Sequence, residues 1–237
     1  MMTPKIMLVT PAYDGQVHVQ YAVALSETVL ALSKEGVGLV SQINTSGSLL
    51  CAERNRLLEA FIKSDCTHVL CVDSDLGWPA QAVVEMLKKD VDFVGGVYPS
   101  RKDNVFTFRP VADSEGGIKV SDKGLIEMKH IPAGFMLIKR KAIQKMRDFF
   151  PELYFEPKHE TTKHLNGYCL FQTELRNGEF WGEDYVFCRL AREAGITIWV
   201  DPLIEFDHAG VRGSLIQVLT SDKSKAEQNP PNQKPLV

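Results

Sequence analysis

His68-Val69-Leu70-Cys71-Val72-Asp73-Ser74-Asp75 decides the fold. The run from His68 to Val72 is nearly all apolar and strand-sized, as expected for a parallel strand covered on both faces. Two acids follow it at once. In open α/β sheets ligands bind outside the carboxyl ends of the strands, so Asp73 and Asp75 stand where chemistry is expected.

Working outward, strand and helix signals alternate. Lys5 to Thr10 is a β-rich run ending at Pro11, and helical periodicity from Gln20 to Lys34 puts Tyr21, Leu25, Val29 and Leu32 on one stripe. Glu35-Gly36 closes that helix, and Val37 to Ile43 reads as the next strand. Ser46-Gly47-Ser48 offers N-cap chemistry for a helix running to Ser64, with Leu50, Leu57, Leu58 and Phe61 inward. Pro79 starts a further helix that ends near Lys89, and Asp92 to Val97 is a fourth strand. This order predicts an α/β fold with a mostly parallel central sheet and right-handed crossovers.

After Tyr98 the pattern changes. Val105 to Ile131 carries short alternating runs with turns at Gly116-Gly117 and Lys123-Gly124, an antiparallel excursion. Phe135 to Lys139 returns as a strand, followed by a short helix from Arg140 to Arg147. Phe149 to Thr173 is rich in aromatics, His and Pro and reads as a loop-rich lobe. Gly182 to Ala194 is a helix, and Thr197 to Val200 and Ile204 to Phe206 are strands. Residues 221–237 are polar and Pro-containing, too poor in apolar groups to pack, and are expected to form a disordered tail.

Composition narrows the class. Lys plus Arg number 27 against 30 Asp plus Glu, a net charge of −3, which argues against binding to nucleic-acid phosphates or a polybasic membrane contact. Apolar runs such as Ile6 to Val9 fall far below the ~20 residues of a membrane span. The 5 cysteines (Cys51, Cys66, Cys71, Cys169 and Cys188) form no C-x-x-C pair or zinc spacing, so a reducing compartment, most simply the cytoplasm, is expected.

Acids one residue apart are common, and Asp90-Val91-Asp92 is a second instance. That triplet precedes a strand and reads as a solvated turn. Asp73 and Asp75 follow one, and two such carboxylates suit a shared Mg²⁺ or Mn²⁺, with a capped turn before the Pro79 helix as the plainer alternative. Gly182-Glu183-Asp184 places two acids in the first turn of a helix, which the macrodipole alone would favour. The preceding Trp181 is less ordinary, because an indole beside a carboxylate can hold a sugar ring against a base. His208 leaves the last strand, where a lone His is most often a satisfied hydrogen-bonding group.

Taken together these residues resemble the GT-A-fold glycosyltransferases, the nucleotide-diphospho-sugar transferase superfamily, over Lys5 to Gly213. The resemblance rests on Thr10-Pro11-Ala12-Tyr13, Ala52-Glu53-Arg54-Asn55, Asp73-Ser74-Asp75, Pro132-Ala133-Gly134-Phe135-Met136, Gly182-Glu183-Asp184 and His208. Small single-domain viral or bacterial members are the nearest in kind. It implies a Rossmann-like GT-A domain over residues 1–220, with 1–98 as the nucleotide-binding half and 99–220 as the acceptor-binding half. Thr10, Pro11, Ala12, Tyr13, Asn44, Arg54, Asp73, Ser74 and Asp75 would hold the donor nucleotide. Asp73, Asp75 and His208 would hold Mn²⁺ or Mg²⁺. Trp181, Gly182, Ala133, Gly134 and Arg212 would meet the sugar or acceptor.

Asp184 would be the general base, with Glu183 competing for that role. The implied reaction moves a sugar from a nucleotide-diphosphate sugar, a UDP-sugar first among them, to a glycan or other hydroxyl acceptor. A carboxylate can take the hydroxyl proton as attack proceeds, and one base with no nucleophile on the opposite face favours inversion by single displacement. Asn44 departs from the acid that many relatives carry at that strand exit.

Three rivals share features. A haloacid-dehalogenase-like phosphohydrolase also has D-x-D after a strand, but Leu76-Gly77-Trp78-Pro79 replaces the Gly-Thr it wants. A nucleotidyltransferase would carry a Gly-rich, Arg-containing loop where Pro11-Ala12-Tyr13-Asp14-Gly15 stands. A non-catalytic nucleotide-sugar-binding module would have no need of Asp184 beside Asp75 and His208.

Overall fold

The structure, a computed structural model, describes residues 3–45, 47–102, 105–159 and 166–228, with side chains through residue 221. In chain order the first strands and helices are β1 (Lys5–Ala12), α1 (Val19–Lys34), β2 (Gly38–Thr45), α2 (Leu50–Lys63), β3 (His68–Val72), β4 (Leu76–Gly77) and α3 (Ala80–Lys89). Then come β5 (Phe93–Gly95), β6 (Arg109–Pro110), β7 (Ile126–His130), β8 (Phe135–Lys139) and α4 (Arg140–Phe149). The last are β9 (Tyr154–Phe155), β10 (Gly167–Tyr168), β11 (Glu174–Arg176), β12 (Glu179–Trp181), α5 (Glu183–Glu193), β13 (Ile198–Val200), β14 (Glu205–His208), β15 (Val211–Ser214) and α6 (Leu215–Gln228).

The main sheet has 8 strands in the order β2-β1-β3-β8-β5-β13-β7-β6. β2, β1 and β3 pair in parallel, and so do β5 and β13. The expectation of a fourth parallel strand beside the third needs correction. β8 is inserted antiparallel between β3 and β5, so the sheet is mixed. The antiparallel excursion supplies β7 and β6 at the far edge.

Alternation along β1 sets the two core layers. Ile6 and Leu8 face one side with α1 and α3, in a cluster with Tyr21, Leu32, Val83 and Phe135. Met7 and Val9 face the other with α2, α4 and α5, in a cluster with Leu57, Phe61, Ile143 and Phe187. On α1 the buried positions are Tyr21, Ala24, Thr28 and Leu32, whereas Val29 of the expected stripe is exposed. Thr28 turns inward because its hydroxyl accepts a hydrogen bond from the Trp78 indole at 3.0 Å. β1 runs past Thr10 to Ala12, and Pro11 is tolerated because the β3 ladder has ended at Val9, so no donor is missed on that side.

Three other expectations change in detail. α2 begins at Leu50 without a side-chain cap, and Ser46 lies outside the described residues. The segment expected as Ile204 to Phe206 is β14, which joins β4 and β15 in a separate sheet. The polar segment from residue 221 begins as helix, because α6 continues to Gln228; residues 229–237 lie outside the described residues. Among the described residues no helix is long and apolar enough to cross a membrane.

Arg140, at the start of α4, closes the end of α2. Its guanidinium donates to the carbonyls of Phe61, Ile62, Ser64 and Cys66 at 2.7–3.1 Å and lies over the Phe61 ring. Carbonyls at a helix C-terminus have no intrahelical partner, so Arg140→Met would strand several in a half-buried place. The expected loss is ~2–4 kcal/mol, read by calorimetry as a melting temperature lower by roughly 5–15 °C.

Candidate functional site

Four strand exits and the start of α2 enclose a cavity of about 570 Å³. β1 contributes Pro11, Ala12, Tyr13 and Asp14, and β2 contributes Asn44. Gly47, Ser48, Leu50, Glu53 and Arg54 line it around the start of α2, with Asp73, Ser74 and Asp75 beyond β3 and Arg101 beyond β5. Glu53, Arg54 and Asn55 are each only 5% exposed, three polar side chains inside a helix that would ordinarily bury apolar ones.

Arg54 is the hub. Its Nη2 lies 2.6 Å from Asp73 Oδ1, its Nη1 donates to the Ala133 carbonyl at 3.4 Å, and its Nε lies 3.6 Å from Glu183 Oε1. Burial opposes the charge on this guanidinium, but Asp73 outweighs it and raises the Arg54 pKa. The Tyr98 hydroxyl donates to Asp73 Oδ2 at 3.1 Å and accepts the Gly134 N–H at 3.1 Å. Burial, with Asp73 beside it, pushes the Tyr98 phenol up. The Asp73 N–H in turn donates to the Gly134 carbonyl, which ties β3 to the inserted β8 at the site.

Asp73 and Asp75 do not share one direction. The Leu76 N–H donates to the Asp73 carbonyl, so the triplet is a turn and the two carboxylates part. Asp75 Oδ2 lies 3.4 Å from His208 Nε2 and 2.9 Å from Arg101 Nη1. Burial would raise the Asp75 pKa; His208 and Arg101 override that and hold it below the ordinary range. Burial would lower the His208 pKa, but Asp75 and the Pro99 carbonyl raise it. Pairing of β14 with β4 sets His208 opposite Leu76, and its Nδ1 meets the Pro99 carbonyl at 2.7 Å.

Of the expected metal set of Asp73, Asp75 and His208, the structure brings Asp75 and His208 together. Asp73 is engaged by Arg54 and Tyr98, and among the described residues no three His, Cys, Asp or Glu side chains cluster around one point. Asp75 and His208 remain a fitting pair of O and N donors, with the imidazole oriented by a carbonyl as ligating histidines commonly are.

Glu183 and Asp184 open α5 behind Arg54 rather than in the cavity lining. Burial, with Glu183 adding like charge, pushes the Asp184 carboxyl up to about 6. Trp181 ends the β11–β12 hairpin, and its ring meets His130 and Tyr185 edge-on at 5.1 and 6.4 Å. Thr10 and Arg212 also stand apart from the cavity. Thr10 is fully buried with its hydroxyl 2.6 Å from Tyr21 Oη. Arg212 pairs with Asp207 at 2.8 Å and lines a groove shared with Gln20 and Trp78.

Tyr98, Arg101 and Asn55 escaped the sequence reading. Tyr98 and Arg101 follow β5, a strand exit like the others, and the exit rule applied once more finds them. Asn55 stands beside Arg54 in sequence but faces elsewhere. It clamps Phe171 in both directions at 2.8 Å and so pins the loop-rich lobe to α2.

No protein-family model matches the chain, and no curated protein matches it. Solved structures that are similar include a Bacillus anthracis protein described as a glucose-1-phosphate thymidylyltransferase, in complex with sucrose. It is 8% identical over 98% of each chain, with a TM-score of 0.42. Another is GalNAc-T7 with UDP, GalNAc and Mn²⁺, 10% identical over 92% of this chain and 48% of that one, with a TM-score of 0.41. Likeness at this level carries no functional argument.

Gly134 is sterically required. A Cβ there would fall on Tyr98 Oη and on Asp73 Oδ2. Gly134→Ala should cost ~1–3 kcal/mol in melting experiments by forcing that cluster apart. Tyr98→Phe should cost ~1 kcal/mol, because it removes hydrogen bonds while keeping the ring.

Proposed function

We propose that this chain is a metal-dependent glycosyltransferase that moves a sugar from a nucleotide-diphosphate sugar to an acceptor hydroxyl with inversion. One juxtaposition carries the reading. A cavity bearing the guanidinium groups of Arg54 and Arg101 and the carboxylate of Asp75, which meets His208, is joined by the Arg54–Glu183 contact to the start of α5, where the Asp184 pKa is raised to about 6. Cations at one place and a base of matched pKa at the next are what displacement of a diphosphate by a hydroxyl needs.

Pro11, Ala12 and Tyr13 wall the nucleobase. Arg54 and Arg101 face the diphosphate, where a guanidinium pairs well with phosphate oxygens. Asp75 and His208 are the residues that would hold Mn²⁺ or Mg²⁺, cations that suit such oxygen and nitrogen donors. Such a cation supplies Lewis-acid stabilisation of the leaving diphosphate. Asp184 takes the acceptor proton. Glu183 holds Arg54 in place and keeps the Asp184 pKa high by its own charge. The Ala133 carbonyl accepts from Arg54 and the Gly134 N–H donates to Tyr98, and Trp181 would flank the acceptor.

The sign of the pH dependence follows. A base must be deprotonated, so transfer falls as pH drops through about 6, the pKa of Asp184. Asp184→Asn should lower transfer by ~10²-fold or more, with donor affinity nearly intact. Glu183→Gln removes the like charge, so its acid limb should move to lower pH while substantial transfer remains. Rate–pH profiles for the three proteins check both statements. A dead Glu183→Gln beside an active Asp184→Asn would exchange the two roles, and full transfer by both variants would remove the mechanism.

A further inference from the structure

We infer that the cavity selects nucleotides whose base carries a ring N–H on its pairing edge, and that Glu53 is the residue that reads it. The inference rests on the donor-site reading above and names the class of base which that site takes.

The cavity is chemically two-ended. Its cationic groups belong to Arg54 and Arg101, whereas Pro11, Ala12, Tyr13 and Leu50 offer apolar surface to a flat ring. Pro11 and Asn44 are direct partners in the β1–β2 ladder, so the apolar wall stands beside Asn44. Glu53 lines the cavity too, and its carboxylate is nearly fully buried. Oε2 accepts from Asn44 Nδ2 at 3.2 Å and Oε1 from Arg56 Nη1 at 2.8 Å. Asn44 Oδ1 accepts from Gln42 Nε2 at 3.0 Å, which orients the amide whose N–H positions Glu53. Gly47 packs so closely on Glu53 that a Cβ there would fall on the carboxylate.

A carboxylate has about four lone-pair sites, and one donor on each oxygen leaves acceptor capacity free. It accepts and does not donate. Uracil and thymine present N3–H, and guanine presents N1–H beside an amino group. Adenine and cytosine present a ring-nitrogen lone pair at the matching position, which a carboxylate repels. Their amino groups can donate to one oxygen, but the neighbouring ring nitrogen offers the carboxylate no proton. In a buried place such a mismatch is costly.

Isothermal titration with Mn²⁺ and the diphosphates UDP, dTDP, GDP, ADP and CDP tests this. At least one of the first three should bind about tenfold or more tightly than ADP and CDP. Glu53→Gln keeps the shape and adds a donor, so the gap should shrink to within about threefold while the melting temperature confirms a folded protein. Tightest binding of ADP or CDP, equal binding of all five, or undiminished discrimination in Glu53→Gln overturns the base reading and leaves the donor site standing. Absence of binding by every diphosphate overturns both.

Discussion

The ion pair between buried Arg54 and half-buried Asp73 is the interaction on which the rest of the site depends. Removing a guanidinium and a carboxylate from water costs several kcal/mol each, and a pair repays this only with good geometry and further hydrogen bonds. Here the contact is 2.6 Å, with the Ala133 carbonyl taking another guanidinium N–H and the Tyr98 hydroxyl serving the second carboxylate oxygen. The pair also explains why position 134 is glycine and why β8 meets β3 at that point, since the Asp73 N–H and the Gly134 carbonyl share a hydrogen bond.

Charge balance then separates the two carboxylates that matter for chemistry. Arg54 has committed its short contact to Asp73 and gives Glu183 only a longer one. Asp184 receives weaker help still, so burial and the neighbouring Glu183 win and its pKa rises. Asp75 lies in the opposite regime, because His208 and Arg101 outweigh its burial. Asp75 is thus kept charged in the cavity, while Asp184, beyond Arg54, has its pKa raised to about 6. Tuning neighbouring carboxyls apart in this way is a general route to assigning them different tasks.

Much of this was legible in the chain. Apolar runs followed by turn residues located β1, β2 and β3, and the exit rule located Pro11, Asn44, Asp73 and Asp75 at one edge. Local pattern could not reveal the insertion of β8, because strand order is settled by long-range packing on both faces of the sheet. Nor could it show that Asp73 would face Arg54 instead of sharing a metal with Asp75. Spacing one residue apart implies a common side only in extended backbone, and the triplet is a turn. Arg212 looked free to reach a phosphate because its partner, Asp207, lies across a hairpin whose register was not evident. Thr10 was assigned outward at a position where β1 is still two-sided core.

The central claim is that the cavity and Asp184 act as one site that breaks the bond between sugar and diphosphate. Phosphorus NMR of a nucleotide-sugar panel incubated with the protein and Mn²⁺ tests it directly, because the products identify which bond is cleaved. Release of a nucleoside diphosphate, abolished by Asp75→Asn, is the predicted result. Sugar 1-phosphate as the product, alone or with a nucleoside triphosphate when pyrophosphate is added, would place the cleavage within the diphosphate and contradict it.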